Sequence, residues 1–238
     1  MSGATAFTKV DVVHHLAQRF GYRRYLEIAT ATTGQSYGKV DRSRFEDCRR
    51  LLYNTPADFS DGAAIDYVCP GLDIAAGLAA IAAQRRRFDI VFVDPWHFYE
   101  PSRRDVAAAF ALVEPGGAVV VHDCRPPSAD IAQPEHQPGD WCGVTYKAYL
   151  DHVLGRTDLR YLTVDTDYGC GVIRKAPLPL GQRLAVRFGR RRLRRAVAQW
   201  QSFGSDYAAA WRYFDANHVS LLKLVSVEAF VSGAHALL

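Results

Sequence analysis

The sequence predicts a doubly wound α/β fold, in which a mostly parallel β-sheet carries helices on both faces. Two short runs indicate the sheet, because residues 90–93 and 118–121 are apolar at every position, as in strands buried on both sides. Each run ends in ionisable residues, Asp94 after the first and His122 with Asp123 after the second. Ligands of such sheets bind beyond the carboxyl ends of the strands, so we expect a functional site there.

The N-terminal region predicts a helix followed by the first strand. Apolar residues recur with helical spacing over residues 7–20, with Thr8 as a candidate cap and Gly21 as a stop. Residues 25–29 predict a short strand, and the small polar residues 30–34 predict the turn that follows it. In an α/β sheet the turn after the first strand commonly holds a cofactor, so this turn is a candidate binding loop.

The same criteria define the other elements of the sheet. Asp73 is a candidate cap of an alanine-rich helix that extends to about residue 86, and Pro101 is placed as the first residue of the next helix. Residues 112–117 predict a helix end and a tight turn. The other predicted strands are residues 48–53, which two arginines interrupt, and residues 65–68, 161–164 and 170–173, in addition to the runs 90–93 and 118–121.

A long loop and a hairpin complete the predicted domain. Residues 125–140 are rich in proline and polar residues and predict a loop over the strand ends, followed by a helix over residues 141–154. Residues 165–169 are too few for a crossover, so the last two strands form an antiparallel hairpin. We therefore expect an α/β domain over residues 1–178 and a basic, then amphipathic, helical extension over residues 179–238.

The composition favours a soluble, cytoplasmic protein. With 238 residues, 49% of them hydrophobic, the chain is long enough for one substantial core. Its five cysteines include no C-x-x-C pair, which favours a reducing compartment over a disulfide framework or a zinc ribbon. No stretch approaches the roughly 18 consecutive apolar residues that a membrane span needs.

The net charge of +4 hides an uneven distribution. Residues 181–238 carry nine basic and three acidic side chains. An arginine cluster over residues 183–195 suits an anionic partner, such as nucleic acid or a lipid surface, but a solvated helix face explains it without any ligand. The cluster consists of Arg183, Arg187, Arg190, Arg191, Arg192, Arg194 and Arg195.

Three segments together resemble the class I S-adenosylmethionine-dependent methyltransferases. They are residues 25–28 with Gly34, then residues 88–94 with the His-Phe-Tyr-Glu run at 97–100, and then residues 114–123, which end in His-Asp. The similarity extends over roughly residues 22–175, most of one domain. It points to the small-molecule O-methyltransferase branch and implies a Rossmann-like sheet that binds S-adenosylmethionine.

The resemblance implies a role for each matching position. His97 takes the place of the catalytic base, with Asp123 beside it, and a histidine with a pKa of about 6.5 accepts protons at neutral pH. Asp94 and Asp123 match two magnesium ligands, so Mg²⁺ is a candidate second cofactor. The implied cofactor-binding residues are Glu27, Ala29, Thr30, Gly34, Gly71, Asp73, Asp94 and Trp96.

The sequence departs from the family pattern at three points. Ala29 stands where the cofactor loop usually has a glycine. The acidic residue that would hold the cofactor ribose has no single counterpart, because Asn54, Asp58 and Asp61 all qualify. Cys124 stands where a third metal ligand would carry oxygen, the donor that hard cations prefer, so the need for a metal stays open.

Two classes of function remain. The first is O-methylation of a small hydroxylated acceptor, such as a sugar or another secondary metabolite, in a pocket shaped by residues 125–140, Trp141, Tyr146 and the C-terminal helices. The second is a non-catalytic binding or scaffold protein on a degenerate methyltransferase fold, recruited through its arginine-rich tail. A nicotinamide-dependent enzyme is disfavoured because no G-x-G-x-x-G follows the first strand. The oligomeric state is left open, with a homodimer among the options.

Overall fold

The computed structural model describes residues 6–31, 34–56, 58–60, 62, 65–181 and 191–233. Within these residues lies an eight-stranded sheet with helices on both faces. The strands are β1 (Arg24–Thr30), β2 (Asp47–Tyr53), β3 (Tyr67–Cys69), β4 (Phe88–Asp94), β5 (Val113–Val121), β6 (Arg160–Val164), β7 (Cys170–Arg174) and β8 (Leu224–Val225). The helices are α1 (Lys9–Phe20), α2 (Ala75–Ala83), α3 (Tyr99–Leu112), α4 (Thr145–Val153), α5 (Arg191–Ser202), α6 (Tyr207–Leu222) and α7 (Val227–Ser232), with short 3₁₀ helices at Gly34–Lys39 and Arg42–Arg44.

Strand order and direction confirm the predicted doubly wound topology. The sheet has the order β3-β2-β1-β4-β5-β7-β6-β8, and β7 runs antiparallel to both of its neighbours. The order reverses between β1 and β4, which pair in parallel. At such a reversal a crevice opens beyond the strand ends, so this is where a ligand site is expected.

The central strands are apolar because both of their faces are covered. Residues 90–93 of β4 are at most 1% exposed. One apolar layer joins the sheet to α2, α3, α4 and α6, and a second layer joins it to α1 and α7. Close packing on both faces holds the strands in place, so side chains that follow the strand ends start from a rigid base.

Helix α1 begins beside the carboxyl edge of the sheet. Its cap is Thr8, whose backbone N–H and hydroxyl each donate to Asp11 Oδ2 at 2.8 Å. The helix ends at Gly21, which has a φ of +69° as glycine readily does. The apolar face of α1 is buried in the second layer, and its first residue, Lys9, meets Asp94 at the end of β4.

The boundaries around α3 differ from the sequence predictions. Pro101 is the third residue of this helix rather than the first, because α3 begins at Tyr99. Proline is still tolerated there, since the first turn needs no N–H donor. Residues 113–117, predicted as part of a turn, form the start of β5, and the register with β4 shifts there. That irregularity explains why a Pro-Gly-Gly sequence lies within a strand.

Helix α4 begins later than predicted, at Thr145 rather than at residue 141. The preceding residues are held in an irregular segment by backbone hydrogen bonds. The N–H groups of Cys142 and Gly143 both donate to the carbonyl of Ile131, and the N–H of Val144 donates to the carbonyl of His97 at 2.9 Å. These bonds tie the end of the 125–140 loop to the residues that follow β4.

Strand β2 accommodates the two arginines that interrupt its apolar pattern. Arg50 is fully buried, and its guanidinium carbon lies 5.0 Å from the ring centre of Tyr37. Arg49 pairs with Asp47 and with Asp66, each at 2.6 Å. Ring and carboxylate partners offset the cost of removing these charges from water, so the strand forms despite its composition.

The C-terminal region contains a strand that its helical composition does not predict. Strand β8 pairs in parallel with β6, so part of residues 179–238 belongs to the sheet. The division at residue 178 and the anionic partner stay predictions. Of the arginine cluster, Arg195 is exposed. Arg183, Arg187 and Arg190 lie outside the described residues, as do the side chains of Arg191, Arg192 and Arg194.

Among the described residues, every helix is too short or too polar to cross a lipid bilayer.

Candidate active site

The structure brings Asp94, His97 and Asp123 together at the carboxyl ends of β4 and β5. His97 Nε2 lies 2.9 Å from Asp123 Oδ2 and 3.8 Å from Asp94 Oδ1. All three side chains are buried. Asp123 has a φ of +59°, a left-handed conformation that aspartate adopts more easily than most residues and that occurs often at functional sites. The two strand ends therefore build one compact, ionisable cluster.

His97 is held by the segment that precedes α4. Its Nδ1 lies 2.5 Å from the carbonyl oxygen of Trp141, so Nδ1 carries the proton of that hydrogen bond. Nε2 then faces the two aspartates. Gly143 covers the His97 backbone so closely that an added Cβ would lie 2.2 Å from the His97 carbonyl oxygen. The imidazole is thus oriented from both ends, as a proton acceptor or a metal ligand requires.

Three further residues, which the sequence reasoning did not assign to the site, extend the cluster. His122 Nδ1 lies 2.9 Å from Asp123 Oδ2, and His122 Nε2 lies 3.3 Å from Asp167 Oδ1. Lys9 donates to Asp94 Oδ2 at 3.0 Å. His122 was recognisable as a strand-end residue. Lys9 on α1 and Asp167 in the β6–β7 turn carry no local signal, because only the tertiary fold brings them here.

The charges in the cluster set its protonation states. Burial alone would lower the pKa of His97, but Asp123 and Asp94 outweigh burial and raise that pKa to about 9. Burial likewise disfavours the charged carboxylates, yet their cationic neighbours, His122 above all, hold the pKa of Asp94 and of Asp123 below the usual range. The pKa of Lys9 is raised because nearby aspartates outweigh its desolvation. These groups are therefore charged near neutral pH.

The raised pKa corrects one sequence expectation. A histidine with an ordinary pKa would be largely neutral at pH 7 and ready to accept a proton. His97 is instead an imidazolium at pH 7 in the ligand-free protein, because its pKa is about 9. It becomes a base only at higher pH, or after a second cation enters the cluster and weakens the hold of the carboxylates on its proton.

Glu27 is a second unusual carboxyl group, on β1. It is fully buried, and the Tyr25 hydroxyl donates to its Oε2 at 2.8 Å. Its other oxygen, Oε1, is buried without a hydrogen-bond partner in the described part of the chain. Burial raises the pKa of Glu27 to about 8, and repulsion from Asp94 adds to this effect. A buried acceptor of this kind fits a cationic or N–H donor from a ligand.

The other positions implied for the cofactor fall into two groups. Ala29 pairs with Asp94 across β1 and β4, and Thr30 ends β1, so both flank the crevice. Gly71 and Asp73 are exposed on the connection to α2. The N-cap of that helix is Ile74 rather than the predicted Asp73, whose side chain accepts from the N–H of Ala75 at 2.9 Å just before the helix. The first group lies with the ionisable cluster, and the second does not contact it.

The predicted binding loop is described only in part. Thr32 and Thr33 lie outside the described residues, and Gly34 begins a 3₁₀ helix. Of the candidates for holding a ribose, Asp61 is also outside the described residues. Asn54 follows β2 directly, with a φ of +52°, and its N–H donates to the Gly71 carbonyl at 2.8 Å. Asn54 therefore joins the end of β2 to Gly71, one of the implied cofactor-binding residues.

A cavity of about 330 Å³ opens over the ionisable cluster, and Trp141 and Tyr168 contribute to its walls. Trp141 was predicted there. Tyr146 was also predicted to shape the acceptor pocket, and this prediction is wrong, because Tyr146 is fully buried with its ring 4.5 Å from that of Phe214. Trp96 belongs to a neighbouring aromatic group and stacks on His136 with ring centres 5.9 Å apart.

The cluster has the composition of a metal site. One ligand atom each from Asp94, His97 and Asp123 lies within 4.8 Å of the others. His97 Nε2 is buried and faces both carboxylates, with Asp123 Oδ2 at 2.9 Å. Two carboxylates and an imidazole suit a divalent ion, and the carboxylates suit Mg²⁺ or Mn²⁺. Cys124 is no ligand, because its thiol faces the Val121 carbonyl at 3.3 Å.

Comparison with known proteins supports the fold assignment. No family model and no curated protein matches the chain. Among solved structures, the O-methyltransferase TomG from Streptomyces achromogenes, crystallised in complex with SAM, is 21% identical, with a TM-score of 0.53 over 73% of this chain and 82% of that chain. Cofactor-bound Rv0187 from MTB is 19% identical, with a TM-score of 0.51 over 74% of this chain and 83% of that chain.

The protein therefore has the fold of class I S-adenosylmethionine-dependent methyltransferases. At these identities the similarity concerns the fold. The activity has to be argued from the site itself.

Proposed function

We propose that the protein is an S-adenosylmethionine-dependent methyltransferase that methylates a hydroxyl group of a small acceptor. The observation that carries this proposal is the position of Asp94, His97 and Asp123 at the reversal of strand order in a class I methyltransferase fold. A buried base and carboxylates at that place suit a reaction in which an acceptor must lose a proton.

Residues at the ends of β1 and β4 would hold the cofactor. S-adenosylmethionine supplies a methyl group on a positively charged sulfur. The buried Oε1 of Glu27, without a hydrogen-bond partner in the described residues, would accept from the ammonium group of its methionine part. Binding there would ionise Glu27, because a cation beside a carboxyl group lowers its pKa.

His97 would remove the proton from the acceptor. Methyl transfer is an in-line displacement, so it depends on alignment and on timely loss of the hydroxyl proton. His97 Nε2 is available for this proton because Nδ1 is committed to the Trp141 carbonyl. Asp123, 2.9 Å away, would stabilise the resulting imidazolium. The positive charge of the bound cofactor would lower the pKa of His97 from about 9 towards neutrality.

Asp94 and Asp123 would hold a divalent ion if one takes part. Such an ion lowers the pKa of a bound hydroxyl group and so shares the task of the base. His97 cannot serve at once as third ligand and as base, because both roles use Nε2. Loss of turnover on chelation, restored by Mg²⁺, would assign the metal a role, and activity in chelator would leave His97 as the base acting alone.

Methyl transfer from labelled S-adenosylmethionine to a panel of sugars and phenols tests the proposal. We expect a labelled product with the wild type and none with His97→Ala, while cofactor binding stays within about threefold. His218→Ala on α6 is the matched control, because it removes a half-buried imidazole remote from the cluster and should keep full activity. Equal turnover by His97→Ala and the wild type would show that His97 is not the base.

The alternative, a scaffold protein on the same fold, makes the opposite prediction. Ala29 in place of the usual glycine is the feature that favours it. A protein of this kind would bind polyanions in a salt-sensitive way and would show no affinity for S-adenosylmethionine.

A further inference from the structure

Lys9 puts an ammonium group inside the carboxylate cluster. Its Nζ lies 3.0 Å from Asp94 Oδ2 and 3.5 Å from His122 Nδ1, and its side chain is only 21% exposed. Asp94 is one of the two carboxylates that would hold a divalent ion. The position beside Asp94 Oδ2 is thus occupied by a cation that the chain itself supplies.

The backbone of Lys9 is fixed, so this arrangement is part of the fold. The Lys9 N–H donates to Asp167 Oδ2 at 3.1 Å, and the Thr166 hydroxyl donates to the carbonyl of Phe7. Both bonds fasten the start of α1 to the turn between β6 and β7. The next helical turn contains Val12, which is fully buried. These contacts fix the backbone at Lys9, whereas its long side chain has several rotatable bonds.

An ammonium group and a divalent ion compete for the same carboxylate, because Lys9 Nζ contacts Asp94 Oδ2 while Asp94 Oδ1 faces His97 Nε2. Mg²⁺ binds carboxylate oxygens at about 2.0–2.1 Å and demands near-ideal geometry, which an ammonium bound to the same carboxylate hinders. Two cations a few ångströms apart also repel each other strongly where burial reduces screening. The ammonium of Lys9 beside Asp94 therefore disfavours a second cation in the cluster.

We propose that Lys9 is the resident cation of the Asp94–Asp123 pair and suppresses divalent metal binding there. The cluster contains the anions Asp94, Asp123 and Asp167, which face Lys9 and two histidines. Lys9 lets the carboxylates stay ionised and buried without a metal. The inference rests on the proposed function only in taking Asp94 and Asp123 as the metal ligands, and it does not depend on methyl transfer.

Direct titration with Mn²⁺ tests this role, using calorimetry and the electron paramagnetic resonance signal of the free ion. The wild type, Lys9→Met and Lys9→Gln are compared, because methionine and glutamine keep much of the length of the side chain without its charge. Lys39→Met is the matched control, since Lys39 lines the same cavity but is exposed. Thermal unfolding checks that each variant is folded.

We expect both Lys9 variants to bind Mn²⁺ about tenfold more tightly than the wild type, or more, while Lys39→Met binds like the wild type. Adding Asp94→Asn to Lys9→Met should abolish the gain. Equal or weaker binding by the Lys9 variants, or no binding by any variant, would overturn the proposal. Methyl transfer is measured separately, so tighter Mn²⁺ binding in a protein without affinity for S-adenosylmethionine would reject the proposed function and keep the role of Lys9.

Discussion

The Nε2 atom of His97 lies 2.9 Å from the Oδ2 atom of Asp123, and the Nδ1 atom on the other side of the ring is bound to a backbone carbonyl. This relationship gives the imidazole one orientation and points its Nε2 at the carboxylates. It also raises the pKa of His97 to about 9, because Asp123 and Asp94 outweigh the effect of burial. The same contact that prepares His97 for proton transfer thus keeps it protonated at rest.

The pH dependence of His97 follows from this contact. The neutral imidazole is the base, so kcat/KM should rise with pH until it levels off near the free-enzyme pKa of about 9. Asp123→Asn removes the nearest negative charge and should lower the pKa of His97 by at least about one unit. NMR titration of the imidazole measures this shift without any acceptor. An unchanged pKa in Asp123→Asn would contradict the account.

The raised pKa of Glu27 should make the stability of the folded protein depend on pH. Its pKa is about 8 in the folded protein against an ordinary value of 4.5, so the folded state retains a proton that the unfolded state releases. The wild type should therefore lose stability as pH rises from about 5 to 8, by up to about 1.4 kcal/mol per pH unit. Glu27→Gln should lack the part of this loss that Glu27 causes and keep only the loss above about pH 6.5 that the raised pKa of His97 adds in both proteins, whereas the exposed control Glu135→Gln should behave like the wild type. Urea unfolding at several pH values measures the difference, and parallel curves for wild type and Glu27→Gln would refute it.

We expect the close approach of Gly143 to the His97 backbone to control the position of His97. Gly143→Ala would place a Cβ 2.2 Å from the His97 carbonyl oxygen, at a φ of +55° that already disfavours alanine. Gly139→Ala is the matched control, because its φ is +88° but nothing lies within 4 Å of the added Cβ. The control should lose only about 1–2 kcal/mol of unfolding free energy. Gly143→Ala should lose more unfolding free energy than the control and should also shift the NMR titration of His97. Identical behaviour of the two variants would show that the close contact of Gly143 does not position His97.

We expect Asp151 to stabilise the attachment of helix α5 to helices α3 and α4. It accepts from Lys147 at 2.8 Å, Tyr99 at 2.7 Å and the Trp200 indole at 2.6 Å, which joins α3, α4 and α5. Asp151→Ala leaves the buried ammonium of Lys147 unpaired and should cost about 3–5 kcal/mol of unfolding free energy.

The exposed pair of Asp158 and Arg156 provides the control for this change. Asp158→Ala should cost at most about 1 kcal/mol, because exposed ion pairs are screened by water. Chemical denaturation measures both variants. A similar small loss for Asp151→Ala would show that the three hydrogen bonds contribute little to the attachment.

The sequence predicts the sheet well because its signals are local. Unbroken apolar runs define β4 and β5, and the polar residues directly after them place Asp94 and Asp123 at neighbouring strand ends. Strand β8 was missed because two residues between helices carry no strand pattern, and its pairing with β6 depends on the tertiary fold. Lys9 was missed for the same reason, since 85 residues separate it from Asp94.

The protonation state of His97 could not be predicted from the sequence either. An ordinary pKa was the natural expectation for a single histidine, and only the distances to two buried carboxylates reveal the shift. Tyr146 shows the converse case. Its residue type suits a binding pocket, but packing places its ring against Phe214 in the core.

The most direct test of the central claim is a calorimetric titration of the purified protein with S-adenosylmethionine. We expect binding of one cofactor per chain with a Kd on the order of micromolar, as is typical for enzyme ligands. Glu27→Ala should weaken this binding at least about tenfold, because it removes the carboxylate proposed to accept from the ammonium group. Absence of binding at high micromolar cofactor would contradict the proposal that this fold serves as a methyltransferase here.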